Sequence, residues 1–239
     1  MLENLKSKRD KIHFRLIKTL FQLARENSPS VIFIDELDSI AGARTDGENE
    51  GTRRVKTEFL IQMQGVGHDD RDLLVLGATN LPWALDPAVR RRFEKRIYIP
   101  LPDELARQAM LKIMIKDTPN ALDENHMKVV SEIAKGFSGS DISTLVKEAC
   151  YQPLRKCESA VSFKLVVDPK DGIQKYTPCP PSDPEATKMR LHEIPASKLY
   201  LPIVGIDDLM EAMNKSKPSV SEGDLDRYIQ FTNDFGQEG

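Results

Sequence analysis

The 239 residues, 40% apolar and 30% charged, suffice for one large domain or two small ones with an ordinary buried core. A net charge of -3 argues against wholesale coating of nucleic acid, and no apolar run approaches the roughly 20 residues that a membrane span needs. Cys150, Cys157 and Cys179 form no CxxC pair and read as ordinary free thiols, and the charged start MLENLKSKRDKIHFRL lacks a secretory apolar stretch, so the expected compartment is the cytosol.

In chain order, Phe14, Ile17, Leu20, Phe21 and Ala24 fall at helical spacing and predict an amphipathic helix over 14–27, ended by Ser28, Pro29 and Ser30. VIFI (31–34) is β-branched and wholly apolar, which predicts a strand buried on both faces, as in a parallel α/β sheet. AGARTDGENEG (41–51) is small, polar and glycine-bearing, hence a loop, after which Val55, Phe59 and Met63 mark the inner face of another helix. LLVLGATN, Leu73 to Asn80, predicts a second buried strand ending in polar residues. This alternation belongs to a doubly wound domain, whose ligands sit beyond the C-terminal ends of its strands. Asp35, Glu36 and Asn80 occupy such ends.

AVRRRFEKR (88–96) lies between a helix expected to be capped by Asp86, with Pro87 in its first turn, and a last apolar piece, IYIPLP (97–102), where Pro100 and Pro102 stop a strand. A domain boundary is placed here, closing a large α/β domain over 1–101. Residues 102–160 predict a small helical domain of three helices, Asp103 to Lys116, Asp123 to Lys135 and Asp141 to Lys156. The third is opened by Ser138 and Asp141 in capping-box spacing and disturbed at Pro153. Over 161–204, strand-like SFKLVV, the turn DPKDG and the loop TPCPPSDP predict a β-rich insertion. Helical spacing resumes over 205–239 with Ile206, Leu209, Met210 and Met213, then with a final amphipathic helix from Asp224 to Phe235.

Phosphoryl transfer to water needs a metal at the phosphates, a carboxylate to activate the water and cations at the developing charge. Asp35, directly after a strand, suits Mg²⁺ held through its water shell, Glu36 suits the general base, and the Asn80 amide can orient the same water. The bland alternative is an acidic turn facing solvent, and for Arg90, Arg91 and Arg92 a solvated basic patch. The pairing of VIFIDE with GATN on a second strand, with arginines soon after, favours the catalytic reading. An arginine so placed can serve a γ-phosphate in an adjacent subunit.

VIFIDELDSI, GTRRVKTEFLIQMQGV, LLVLGATNLPWALDPAVRRRFEKRIYIPLP and GFSGSDIS, in that order, resemble the AAA ATPases of the meiotic clade from about Leu16 onward. The resemblance implies a P-loop NTPase large domain, a helical lid domain carrying the β-rich insertion, and ATP and Mg as ligands. It implies Walker B roles for Asp35 and Glu36, a sensor-1 role for Asn80, and trans-acting arginine fingers in Arg90 and Arg91. GFSGSDIS matches a segment near adenine and ribose, which makes Gly139 and Ser140 nucleotide-contact candidates; the other reading is a helix cap. The loop from Gly42 to Arg53 matches a second pore loop, with Glu48, Glu50 and Arg53 as candidates for engaging polypeptide, against an exposed charged loop without a partner. The β insertion and the terminal QFTNDFGQEG narrow the resemblance to the branch that disassembles ESCRT-III filaments at endosomes. That branch implies a hexameric ring, ESCRT-III subunits and an activating protein at the β insertion as partners, and only indirect membrane contact. Two alternatives stand beside it: a microtubule-severing relative, and a non-catalytic subunit of a mixed ring that lends Arg90 and Arg91 in trans.

The sequence departs from the family at its start. It contains no GxxxxGK[ST] run, whose amides and lysine would cradle phosphates, and KSKRDKIHF stands where the family has an aromatic first pore loop. The family's phosphate loop and its N-terminal binding domain are expected upstream of Met1, through a truncated product, an incorrect gene start or a degenerate paralogue. In the family's sheet the strand before the phosphate loop lies between those of LLVLGA and RIYIP. Without it both neighbours are expected to expose edges and apolar faces. The large domain is therefore expected to be unstable alone, and residues 103–239 to fold by themselves.

Overall fold

The computed structural model describes residues 2–43, 50–64, 72–169 and 171–236. They form two compact units, one from the chain up to Tyr98 together with residues from Arg227 onward, the other from Ile99–Asp226.

The first unit opens with helix α1, Leu2–Glu26, which begins well before the predicted position. Strand β1, Ser30–Ile34, leads into the short α2, Leu37–Ala41; α3, Glu50–Met63, precedes β2, Leu73–Gly77. A 3-10 turn at Pro82–Ala84 and the four-residue α4, Pro87–Arg90, follow. The two strands pair in parallel with Ile32 opposite Val75 and Ile34 opposite Gly77, as the α/β alternation requires. Ile17 and Phe21 of α1 and Val55 and Phe59 of α3 pack with Ile32, Leu37 and Val89 into one core. Phe21 meets Phe59 edge-on at 6.1 Å, and Arg25 clamps the end of α3 through Gln62, donating to Oε1 at 2.7 Å and to the carbonyl at 2.8 Å.

Burial of the strands on both faces is not found. Val31 and Phe33 are 61% and 65% exposed, and their partners Leu74 and Leu76 on the same face are 53% and 47% exposed. The described helices of this unit pack with Ile32 on the opposite face, so an apolar run long enough for two-sided burial is covered on one side. Nor is IYIPLP a strand: residues 93–103 carry no regular structure and Ile97 and Ile99 are exposed. Pro100 and Pro102 have no N–H to donate, and no strand among the described residues pairs with the segment.

In the second unit, helices α5 (Glu104–Ile115), α6 (Glu124–Ile133) and α7 (Gly139–Ser159) each start where an acidic or hydroxyl residue caps free N–H groups. Asp103 accepts from the Ala106 N–H and Asp123 from the His126 N–H, both at 2.8 Å. Helix α7 runs through Pro153 and past the predicted end at Lys156. Strands β3 (Ser162–Val167), β4 (Gln174–Pro178) and β5 (Thr187–Lys188) form an antiparallel sheet in the order β4-β3-β5, the predicted insertion. Gly172 takes the left-handed φ of 70° in the β3–β4 turn. There Lys175 Nζ lies between the Asp168 and Asp171 carboxylates, and those hydrogen bonds raise its pKa. Helix α8, Ile206–Lys215, closes a core of Leu111, Val130, Ile142, Leu145 and Leu209. The last helix, α9 (Glu222–Phe235), begins in this unit, and from Arg227 belongs to the first.

Candidate functional site

The ends of β1 and β2 are locked together by backbone bonds that continue past the strands. The Ala78 N–H donates to the Ile34 carbonyl at 2.8 Å, and the Leu37 N–H donates to the Ala78 carbonyl at 2.9 Å. Between these two bonds the chain turns sharply. Glu36 adopts a left-handed conformation, φ 48° and ψ 47°, the only non-glycine residue with positive φ among those described. Its N–H donates to Asp35 Oδ1 at 2.8 Å, while buried Leu37 anchors the turn from below. Both carboxylate residues are exposed. A side-chain bridge spans the same two ends, Thr79 Oγ1 donating to Asp38 Oδ1 at 2.5 Å and accepting from the Leu81 N–H at 3.0 Å. Asn80, exposed, follows on this braced turn, and its side-chain amide has no hydrogen-bond partner among the described residues.

The approach of the strand ends is close. A Cβ on Gly77 would lie 2.8 Å from Leu37 Cδ2 and 3.1 Å from Phe93 Cζ, so only glycine fits there without displacement. Beyond it, buried Asp86 caps α4 by accepting from the Ala88 N–H at 2.7 Å, and the Asp86 N–H reaches back to the Ala41 carbonyl at 2.9 Å. The predicted cap and Pro87 start are both present. Arg90 ends this helix half-buried, with Cζ 4.2 Å from the Phe235 ring centroid and 5.9 Å from that of Phe231. Arg91 and Arg92 are exposed.

Asp35, Glu36, Asn80, Arg90 and Arg91 thus belong to one unit, the first three at the C-terminal ends of adjacent parallel strands. Gly139 and Ser140 belong to the other unit, at the first turn of α7. There the cap reading is realised: Ser138 N–H donates to Asp141 Oδ2 at 2.8 Å and Asp141 N–H to Ser138 Oγ at 3.2 Å. Ser219 adds its N–H and hydroxyl to the same carboxylate oxygen at 3.2 and 3.0 Å. Burial alone would raise the Asp141 pKa, but the hydrogen bonds from Ser138 and Ser219 outweigh it and hold the carboxyl below its ordinary range. Of the second-pore-loop candidates, Glu48 lies outside the described residues, as does the Glu50 side chain. Helix α3 starts at Glu50, so Arg53 is an exposed helical residue rather than a loop residue.

Sequence reasoning missed the residues that brace this site. Thr79 and Asp38 lie within LLVLGATN and VIFIDELDSI without a role of their own there, and Arg96, Tyr228, Phe231 and Phe235 are recognisable only once α9 is seen against residues 80–98. The spacing of 228, 231 and 235 on one helical face was the available signal.

A profile described as "ATPase family associated with various cellular activities (AAA)" matches residues 5–101, one described as "AAA+ lid domain" matches 123–166, and one described as "Vps4 C terminal oligomerisation domain" matches 176–236. Vacuolar protein sorting-associated protein 4B of Mus musculus is 51% identical over 231 residues, covering 94% of this chain and 52% of the relative.

Residues 5–101 carry the domain of the AAA ATPase family.

Vacuolar protein sorting-associated protein 4 of Dictyostelium discoideum is 50% identical over 230 residues, again 94% of this chain and 52% of the relative. The chain therefore spans about half the length of the relatives it matches. Among solved structures, that of the FIGL-1 AAA domain in complex with ADP superposes with a TM-score of 0.71 at 33% identity, covering 94% of this chain and 64% of the other. The family's α/β domain and helical lid follow one another here as the sequence motifs anticipated, and the oligomerisation domain over 176–236 was not anticipated. No helix among the described residues is long and apolar enough to cross a membrane.

Proposed function

We propose that the chain is part of an ATP-hydrolysing AAA subunit that works in a hexameric ring and disassembles ESCRT-III filaments from the cytoplasmic side of endosomal membranes. The observation that carries this reading is the carboxylate pair Asp35–Glu36 at the end of one parallel strand beside Asn80 at the end of the next, braced by the Ile34–Ala78 and Leu37–Ala78 bonds.

The residues present fit the magnesium-and-water half of an ATP site. Among the described residues no cluster of three His, Cys, Asp or Glu could cage a metal, and magnesium does not require one, since it keeps most of its waters and leans on a carboxylate plus substrate phosphates. Asp35 would hold it through that water shell. Magnesium there supplies charge neutralisation at the phosphates. Glu36 takes the proton of the attacking water, and Asn80 holds the same water by its amide. The amides and lysine of a GxxxxGK[ST] run, which would cradle the phosphates, are not among these 239 residues. Arg90 and Arg91 would stabilise charge on the γ-phosphate in the neighbouring subunit, Gly139 and Ser140 would lie along the nucleoside, and Glu48, Glu50 and Arg53 would line the channel. The β3–β5 sheet would receive the activating protein.

The test is a fusion of this chain behind the segment of a relative that carries GxxxxGK[ST]. ATP turnover accelerated by ESCRT-III filaments, with loss of those filaments, is expected; turnover indifferent to filaments overturns the substrate assignment. A second reading rests on the exposure of Arg91 at the end of α4: the chain enters a mixed ring and lends its arginines without hydrolysing. Stimulation of a complete relative by this chain, lost in Arg90→Ala with Arg91→Ala, supports that reading, and failure to associate removes it.

A further inference from the structure

Helix α9 spends one of its faces on the segments that carry Asn80 and Arg90. Tyr228 Oη donates to the Asn80 carbonyl at 2.6 Å, and its ring lies 5.1 Å from Trp83 and stacks on Tyr98 at 6.0 Å. Arg227 adds a guanidinium 4.1 Å from the Trp83 centroid. Seven residues on from Tyr228, the Phe235 ring centroid stands 4.2 Å from Arg90 Cζ. Arg96 joins the two ends, donating from Nη1 to the Phe235 carbonyl at 2.6 Å and from Nη2 to the Arg90 carbonyl at 3.0 Å. No residue of α9 is buried, so this face does not serve a core.

The attachments at Asn80 and Arg90 share a property: they hold the backbone or one face of the group and leave its reactive atoms unoccupied. The Tyr228 bond uses the Asn80 carbonyl, not its side-chain amide. With Arg90 Cζ over the Phe235 ring, the ring covers the carbon of the guanidinium and leaves the N–H groups at its rim able to meet an oxyanion. Among the described residues the Arg90 guanidinium makes no hydrogen bond, so Phe235 orients it without consuming a donor.

We propose that Tyr228 and Phe235 are positioning residues: Tyr228 sets the Asn80 turn, Phe235 sets the position of the Arg90 guanidinium, and α9 couples the two. Because Asn80 serves the subunit's own water and Arg90 the neighbour's phosphate, α9 links adjacent sites around the ring. This rests on the roles proposed above for Asn80 and Arg90.

Hydrogen exchange on the full chain tests the attachment without any turnover. Tyr228→Phe keeps the ring stack and removes one hydrogen bond, so exchange at Ala78 and Leu81 should rise roughly fivefold, with emission of Trp83, the chain's single tryptophan, unchanged. Phe235→Leu should raise exchange at Arg90, Arg91 and Arg92 roughly three- to tenfold, and Phe235→Tyr should restore it because an aromatic face returns. Unchanged exchange at these amides, or equal behaviour of Leu and Tyr at 235, overturns the inference. In a ring mixed with a complete relative, Phe235→Leu should lower the kcat stimulated through Arg90 about threefold or more with KM unaltered. If Arg90→Ala abolishes stimulation and Phe235→Leu leaves it intact, positioning falls and the trans-arginine reading stands. If Arg90→Ala changes nothing, the trans-arginine reading falls and takes the role of Phe235 with it.

Discussion

Glu36 holds a left-handed backbone that a β-carbon disfavours, and it is the residue assigned to activate water. Such a conformation costs about 1–3 kcal/mol and persists where the surroundings impose it. Here the Leu37–Ala78 bond and the buried Leu37 side chain do so. Glu36→Gly should therefore stabilise the first unit by about 1 kcal/mol, after allowing for the greater freedom of glycine in the unfolded chain. The urea midpoint measures it; an unchanged or lower midpoint would show that the turn is unstrained. The carboxylate pair itself was legible in VIFIDE, because an apolar run ending in acids marks a strand end. The left-handed turn was not, since nothing in glutamate favours it and the cause lies in Ala78, far along the chain. Likewise Arg90 read as a free finger, and its stacking on Phe235 depends on a helix remote in sequence.

Among the elements, the helices of the second unit were the most readable, because Asp103, Asp123 and Ser138 each state locally where free N–H groups must be satisfied. The cap of α7 also has a pH consequence. Asp141 is held below its ordinary pKa, so its contribution to stability is complete above the unfolded value of about 4 and is lost as pH falls through the lower folded value. Ser219→Ala removes the hydroxyl donor and should lower the stability of this unit at pH 7, with the loss shrinking as pH falls below about 4. A loss at pH 7 no larger than that at low pH would mean the Ser219 hydroxyl adds nothing to the carboxylate. Strands were less readable than helices. VIFI and LLVL were correctly apolar, but an apolar strand states only that it can be buried, and whether a layer covers each face depends on other parts of the fold. IYIP failed as a strand for the related reason that pairing requires a neighbour.

For the whole molecule, the sheet face left exposed among the described residues is expected to govern behaviour in solution. Val31, Phe33, Leu74 and Leu76 form a contiguous apolar surface of the kind that drives self-association. Replacing Val31 and Phe33 together by lysine should reduce light scattering of the purified chain while leaving its helical signal intact; scattering that persists would place the sticky surface elsewhere. The second unit, with its continuous core from Leu111 to Met213, should unfold in a separate step from the first. What the account claims above all is that Asp35, Glu36 and Asn80 form the metal-and-water half of an ATP site. ATP turnover of the fused subunit carrying Glu36→Gln tests that most directly. The account predicts a fall in kcat of roughly a hundredfold or more with nucleotide binding retained, and a kcat within about threefold of the parent would contradict it.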